Sequence, residues 1–255
     1  MTTPIPVQRR SISVLDRVSE PGLDLTIVTR PHAGELHLTV RPRPGEQPSM
    51  MLWRLASVLR EHSASVVRQE IFGRLEARAE LLGQMGRLLG QIDWPITWLD
   101  TDAGTSGPIA GMHLLAVTGT PVQTIEFEGR VAGRIFDDGY ARHCLLGDIG
   151  PARLSAPKEI QAAQTFDRME AALAVAGMKI TDVIRTWLFM DEILGWYGPF
   201  NLVRKEFFTK RRLFDGLVPA STGVGMRNPA GAALLAGAWA TQPNNGALAI
   251  REVLS

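Results

Sequence analysis

Cysteine occurs once in the 255 residues, as Cys144, so no internal disulfide can form and the sequence predicts a reducing compartment. Cys144 sits in the apolar run HCLLG and reads as buried filler rather than a nucleophile. Lysine is scarce too: of 27 basic residues only four are lysine, and the arginines are scattered rather than run together. A formal net charge of +1 supplies no global field to draw in nucleic acid or an anionic membrane, so neither is expected as a partner. Long hydrophobic runs are absent. The longest, Ala230 to Ala240, falls far short of the ~20 residues needed to span a bilayer. The opening MTTPIPVQRRSISVLDRV has no apolar leader core, and the chain reads as cytoplasmic. What is present is ordinary: 45% hydrophobic and 21% charged residues, enough to bury a core in one large domain or two smaller ones.

The five histidines, His32, His37, His62, His113 and His143, include no i, i+4 pair and no cysteine or acid pattern that completes a metal site. They read as structural or surface residues, and no metal is expected. Gly223-x-Gly225 lacks a following Gly-Lys-Ser/Thr and reads as a strand bend, not a phosphate loop. No cofactor is expected. Trp94, Trp98, Trp187, Trp196 and Trp239 are spaced as core or interface anchors.

The chain contains an internal repeat. VVRQEIFG, Val66 to Gly73, aligns with VIRTWLFM, Val183 to Met190, at an offset of 117, matching Val66, Arg68 and Phe72 to Val183, Arg185 and Phe189. AGMHLLA, Ala110 to Ala116, matches AGAALLA, Ala230 to Ala236, at five of seven positions and an offset of 120. Two matches in the same order predict duplication, with units at 1–119 and 120–255. In the second unit Ile125 to Phe136 reads as a strand, Asp137-Asp138-Gly139 as a tight turn and Tyr140 to Gly147 as the returning strand. A helix over 157–176 is striped by Phe166, Met169, Leu173 and Ala176, and Gly177 is placed to end it. After the strand at 183–190, Asp191 is placed to cap a helix reaching Lys210, whose stripe is Ile193, Tyr197, Phe200, Val203 and Phe207. Strands near 221–226 and 232–240 close the unit. The first unit parallels it: a hairpin across PHAG, a helix striped by Leu52, Leu55 and Leu59, the strand at 66–72, a helix over 75–89, then strands at 96–99 and 111–117. Each unit is thus ββαβαββ, an α+β fold with both helices on one face of a mixed sheet.

The segment Gln164 to Phe208, QTFDRMEAALAVAGMKITDVIRTWLFMDEILGWYGPFNLVRKEFF, resembles the Rid/YjgF family, also labelled endoribonuclease L-PSP or translation initiation inhibitor. Gln164, Gly177, Asp182, Val183, Asp191 and Asn201 stand in the family's places. The resemblance is clear over roughly 139–240 and architectural over 24–118. It implies a ferredoxin-like or chorismate-mutase-like unit that trimerises with sheets inward, helices outward and pockets between neighbours. It also implies an arginine after the Pro-Ala of the penultimate strand to hold a substrate carboxylate. Here PASTGVG puts Ser221 at that place, WPITWL puts Ile96 there in the first unit, and AGAALLAGAWA lacks the acid expected on the last strand. PASTGVG before a small-residue strand is similar instead to the leading Rid-like unit of chorismatase-type hydrolases, in which a following unit carries the catalytic pocket. The chain stops at NNGALAIREVLS, about where such a unit would begin, leaving a fragment and a natural short form both open.

Two functions follow from this. The first is binding or hydrolysis of a small carboxylate-bearing metabolite, chorismate-like or an enamine or imine, at a cleft between units. Tyr140, Arg142, Arg185, Trp187, Ser221 and Thr222 would line that cleft, with Ser221 and Arg185 the candidates for catalysis. The second is a non-catalytic Rid-like scaffold. Because two units cannot close a threefold ring, a homo-oligomer or pseudo-trimer is expected. Alternation along the central strand puts Val183, Arg185 and Trp187 on one face and Ile184, Thr186 and Leu188 on the other.

Overall fold

A computed structural model describes residues 14–101, 107–244, 248, 250 and 251; most of the amino-terminal stretch read for a leader and most of the tail after Asn244 lie outside them. The first half contributes strands β1 (Val14–Glu20), β2 (Leu23–Thr29) and β3 (Gly34–Val40), helix α1 (Pro48–Glu61), strand β4 (Ser65–Gly73), helix α2 (Arg78–Leu89), and strands β5 (Ile96–Asp100) and β6 (Ile109–Thr118). The second repeats the order with β7 (Val122–Phe127), β8 (Arg130–Asp137), β9 (Ala141–Ile149), α3 (Lys158–Val175), β10 (Val183–Met190), α4 (Ile193–Lys210), β11 (Ala220–Gly225) and β12 (Leu234–Pro243). Each half carries the ββαβαββ order with one additional leading strand. The two six-stranded sheets run β1-β2-β3-β6-β4-β5 and β11-β10-β12-β9-β8-β7, the same order on substituting each strand for its counterpart six places on. One parallel pair, β4 with β5 and β10 with β11, makes each sheet mixed.

The extra strand in the second half arises where the sequence reads as one strand from Ile125 to Phe136. Glu128 and Gly129 both adopt positive φ, 50° and 72°, and fold it into the β7–β8 hairpin. A two-residue turn with both residues left-handed matches the twist of its flanking strands, and only the glycine of the pair announces it.

Each sheet buries one face under its own helices. Leu52, Leu55 and Leu59 of α1 and Leu81 and Met85 of α2 pack on the first sheet, and Phe166, Met169 and Leu173 of α3 with Phe200 and Phe207 of α4 on the second. The α4 stripe differs from the expected one at a single position, while Ile193, Phe200, Val203 and Phe207 pack on the core as expected. Trp196 is buried with its indole N–H donated to the Asp191 carbonyl at 2.8 Å, whereas Tyr197 is 46% exposed. Asp191 does not cap α4; Glu192, at φ 51°, occupies the cap position, and no side chain bonds the helix start.

The opposite faces of the two sheets meet each other. Val67, Leu115 and Val117 of the first sheet pack on Phe136 and Leu145 of the second. Further along, Leu99 packs with Phe189 and Leu235. A backbone bridge and ion pair between Asp100 and Arg227, at 3.0 Å between side chains, fasten the far corner of the seam. Cys144 faces the helices and is fully buried, and burial pushes its thiol pKa up to about 12, which makes it inert filler.

Candidate functional site

The seam between the sheets is built from the repeated strand. In β4 the pairing with β6 slips between Val66 and Arg68, and in β10 the pairing with β12 slips between Val183 and Arg185. A bulge holds an extra residue, so the face alternation resets across it. Val66 and Val183 therefore point into the helix-side cores, while Ile184 joins Arg185 and Trp187 on the seam side. The simple alternation expected for this strand fails at Val183 and Ile184 for that reason. The offset of 117 carries the bulge as well as the residues.

Ladder partners correct the other repeat anchor. Phe72 pairs with Gly111 and Phe189 with Leu235; Ile71 pairs with Met112 and Leu188 with Ala236. The structural offset between β6 and β12 is thus 235 − 111 = 124. AGMHLLA lies within β6, whereas most of AGAALLA is the turn that enters β12. Small and apolar residues at both strands produced the match four positions out of step.

At the centre of the seam the two matched arginines converge on one ring. The Arg68 guanidinium lies 3.3 Å from the centroid of Trp187, reaching across from the first sheet, and Arg185 of the same strand as Trp187 lies at 5.1 Å. Arg68 is buried and ion-paired with Glu70, which also meets His113 Nδ1 at 3.4 Å. Gly237 makes room: a Cβ there would stand 3.0 Å from the Leu146 carbonyl and 3.8 Å from Arg68 Nε. Burial pulls the Arg68 pKa down against the pull of Glu70, and the Arg185 charge adds to that lowering. Arg185 is exposed and donates to Thr222 Oγ1 at 3.0 Å. Among the described residues no carboxylate lies within ion-pair range of it.

Of the sequence-predicted residues, the structure brings Arg185, Trp187 and Thr222 together on the seam face of β10 and β11. Ser221 lies on the other face, its hydroxyl 2.9 Å from Thr186 Oγ1, and among the described residues no histidine or acid is hydrogen-bonded to it. Arg142 also leaves the group. It alternates onto the helix side of β9 and donates to the Ala176 carbonyl at 2.7 Å, closing the end of α3 beside Gly177, which has φ 67°. Tyr140 lies at the β8–β9 turn, edge-on to His32 with centroids 5.7 Å apart.

Tyr140 opens onto a cluster that sequence reasoning missed. Glu35 of β3, Asp138 of the β8–β9 turn and His143 of β9 are all at least nine-tenths buried, and line a cavity of about 440 Å³. Arg30 Nη1 bridges the two carboxylates, 2.6 Å from Glu35 and 2.9 Å from Asp138. Burial pushes the Asp138 carboxyl up, but the amides of Ala141 and Tyr140 and the His143 ring outweigh it and hold the pKa below the usual range. For Glu35 burial is likewise outweighed, by the His37 hydrogen bond and the charge of Arg30. His143 is pinned by chemistry. The Trp239 indole can only donate, and it donates to His143 Nδ1 at 3.1 Å, so Nδ1 carries no proton and the ring is neutral with its hydrogen on Nε2. Burial, which lowers the His143 pKa, acts in the same direction. The available signal was a charged or polar residue inside each of two apolar contexts: His143 in HCLLG, and the aspartate pair before Gly139. Among the described residues no group of three or more His, Cys, Asp or Glu is arranged to hold a metal.

No family profile matches the chain, and no curated protein matches it. Solved structures do. Half of this chain is similar to YjgF and L-PSP structures. Escherichia coli TdcF with bound serine is 22% identical, over 46% of this chain and 91% of its own, at a TM-score of 0.38. The YjgF gene product of the same organism is 23% identical, over 47% and 92%, also at 0.38. An Entamoeba histolytica protein described as a putative endoribonuclease L-PSP is 19% identical, over 48% of this chain and all of its own, at 0.38. The chain's own strand order, repeated in both sheets, shows two units of the same α+β fold in tandem. No helix among the described residues is long and apolar enough to cross a membrane.

Proposed function

We propose that this tandem Rid-like chain binds a small carboxylate-bearing metabolite, chorismate-like or an enamine or imine, on the seam face of β10 and β11, with Arg185 as the carboxylate anchor. The observation that carries this is the state of Arg185. Arg30, Arg68 and Arg134 along the seam are each matched to a carboxylate, whereas Arg185 is oriented by Thr222 and Trp187 and has none among the described residues. A planar guanidinium already held in place loses little freedom on gripping a carboxylate with two parallel hydrogen bonds. Isothermal titration with chorismate and phenylpyruvate tests it. Arg185→Ala is expected to weaken binding at least tenfold, and Arg185→Lys to restore part of it. No binding of either acid, or equal binding to Arg185→Ala, would sink the reading.

Hydrolysis is the stronger form of the same proposal. The position of Ser221 favours the scaffold reading over it, since its hydroxyl is bonded to Thr186 on the helix side and to no base among the described residues. Turnover of chorismate or of an enzymatically generated imine above the buffer rate would restore the catalytic form.

Self-association is part of the proposal. Strand β1 is exposed along its whole length and presents Val14, Leu15 and Val18 at 47%, 56% and 39% exposure on a sheet edge. An open edge with apolar side chains invites another strand. A light-scattering mass above that of the 27.9 kDa monomer at micromolar concentration is expected; the monomer mass alone would count against it.

A further inference from the structure

Helix α4 carries an apolar stripe that its own fold leaves uncovered. Ile193, Trp196, Phe200, Val203 and Phe207 face the core, and a surface helix normally turns charged residues the other way. Here the opposite side presents Leu194, Gly198 and Leu202, spaced four apart, with the two leucines 96% and 71% exposed. Tyr197, 46% exposed, flanks them, and Lys205 follows on the same side. Nothing within the chain requires Gly195 and Gly198 to be glycine. A Cβ at either would meet nothing within 4 Å, neither has positive φ, and glycine is among the poorest helix formers. Glycine on an outer helix face lets a second backbone approach closely.

Charge selects the occupant. A two-fold axis at Gly198 sets two α4 helices antiparallel, and residues equally far before and after Gly198 then share a level. Leu194 of one copy meets Leu202 of the other, and Gly198 faces Gly198. Farther out, Lys205 reaches the level of Asp191 on the second copy, each seven residues from the axis. Among the described residues neither Lys205 nor Asp191 has an ion-pair partner, whereas Lys210 takes Glu206 and Lys158 takes Glu192. The same arrangement keeps the two Lys205 side chains about 21 Å apart along the helices, at ~1.5 Å per residue. An apolar centre closed at both ends by opposite charges fits this chain to itself.

We propose that a second copy of this chain docks on this face, α4 antiparallel to α4, with Gly198 at the crossing, Leu194 on Leu202 and Lys205 on Asp191 in both directions. The contact lies on the helix side of the second unit. It is separate from the β1 edge and from the Arg185 seam, and depends on neither.

Cysteine cross-linking on the full chain tests it, because Cys144, the one native cysteine, is buried and unreactive. Leu194→Cys and Leu202→Cys, mixed and oxidised, are expected to join as a disulfide-linked dimer, since facing positions come within the ~7 Å between Cα atoms that a disulfide needs. Neither variant alone should do so, because its own two copies stand about 12 Å apart along the helices, at ~1.5 Å per residue. Gly198→Gln, a better helix former that the monomer has room for, should keep the fold and abolish the mixed cross-link. Lys205→Glu should weaken dimerisation at least fivefold in sedimentation, and adding Asp191→Lys to it should restore most of the affinity. A mass above the monomer without the mixed cross-link would assign association to the β1 edge and overturn the proposal. So would a chain that stays monomeric, which leaves the stripe to a different partner, or cross-linking as strong in each variant alone. A charge-swapped double variant no better than Lys205→Glu would overturn the register.

Discussion

Replacing Arg68 with alanine should destabilise the protein by about 3–5 kcal/mol, the largest single loss expected from any charged residue in the seam. Three things go at once. Glu70, 3% exposed, is left as a buried carboxylate facing only His113 at 3.4 Å. Trp187 loses the guanidinium stacked at 3.3 Å, a contact worth about 1–2 kcal/mol when desolvated. A void opens above Gly237, where no side chain can follow. Most of the loss belongs to the stranded Glu70 charge, not to the ion pair itself, because taking both charges out of water offsets most of their attraction. The double variant Arg68→Met, Glu70→Gln should therefore recover more than half of the deficit. Urea denaturation of wild type and both variants checks this. A single variant within 1 kcal/mol of wild type, or a double variant no better than the single, would show that Arg68 is not what holds the seam.

Arg68 also shows where the sequence was legible and where it was not. The repeat at 117 was readable because a buried central strand is constrained on both faces, and it carried Arg68, Arg185 and even the bulge before them. What it could not show is that Arg68 stacks on Trp187 of the other unit, since a contact across 119 residues leaves no local pattern. The AGMHLLA match failed by four positions because alanine, glycine and leucine satisfy a close-packed strand in many registers. Arg142 and Ser221 were grouped with Arg185 by strand adjacency alone. β12 stands between β9 and β10, so Arg142 is not beside Arg185, and both Arg142 and Ser221 fall on the helix side. The β7–β8 turn escaped because Glu128 is an uncommon residue at positive φ. Glu35, Asp138 and His143 come from a strand, a turn and a second strand in two different units, so their meeting is a property of how the sheets dock.

Asp148→Asn should stabilise the protein at neutral pH by about 1–2 kcal/mol and by only a small fraction of that at pH 4. Burial raises the Asp148 carboxyl from its ordinary 3.8 to about 6, and Arg130, Arg78 and the hydrogen bond from Arg130 only partly oppose it. The sign is the reverse of the usual aspartate. Between pH 3.8 and about 6 the folded protein holds a proton that the unfolded chain has released, so stability falls as pH rises through that window and stays lower above it. A shift of that size corresponds to about 3 kcal/mol at most, and the solvent reaching the carboxyl, whose side chain is 23% exposed, reduces it. Asparagine keeps the size and hydrogen-bonding capacity and carries no charge. It also suits the backbone, because Asp148 sits at φ 54°, where asparagine is among the most readily accommodated residues. Its amide would keep the main-chain bond to Thr97 Oγ1 at 3.0 Å, since that bond comes from the backbone N–H. The cost is the ion pair with Arg130, a residue 67% exposed and screened by water, which contributes under about 1 kcal/mol. Thermal unfolding of wild type and variant from pH 4 to pH 8 reads the difference directly: the curves should lie closest at pH 4, separate progressively up to about pH 6, and run parallel above it. Equal separation at every pH would assign the gain to backbone fit alone, and a variant less stable at pH 7 would mean that the Asp148 charge is held by Arg130 far better than its burial suggests.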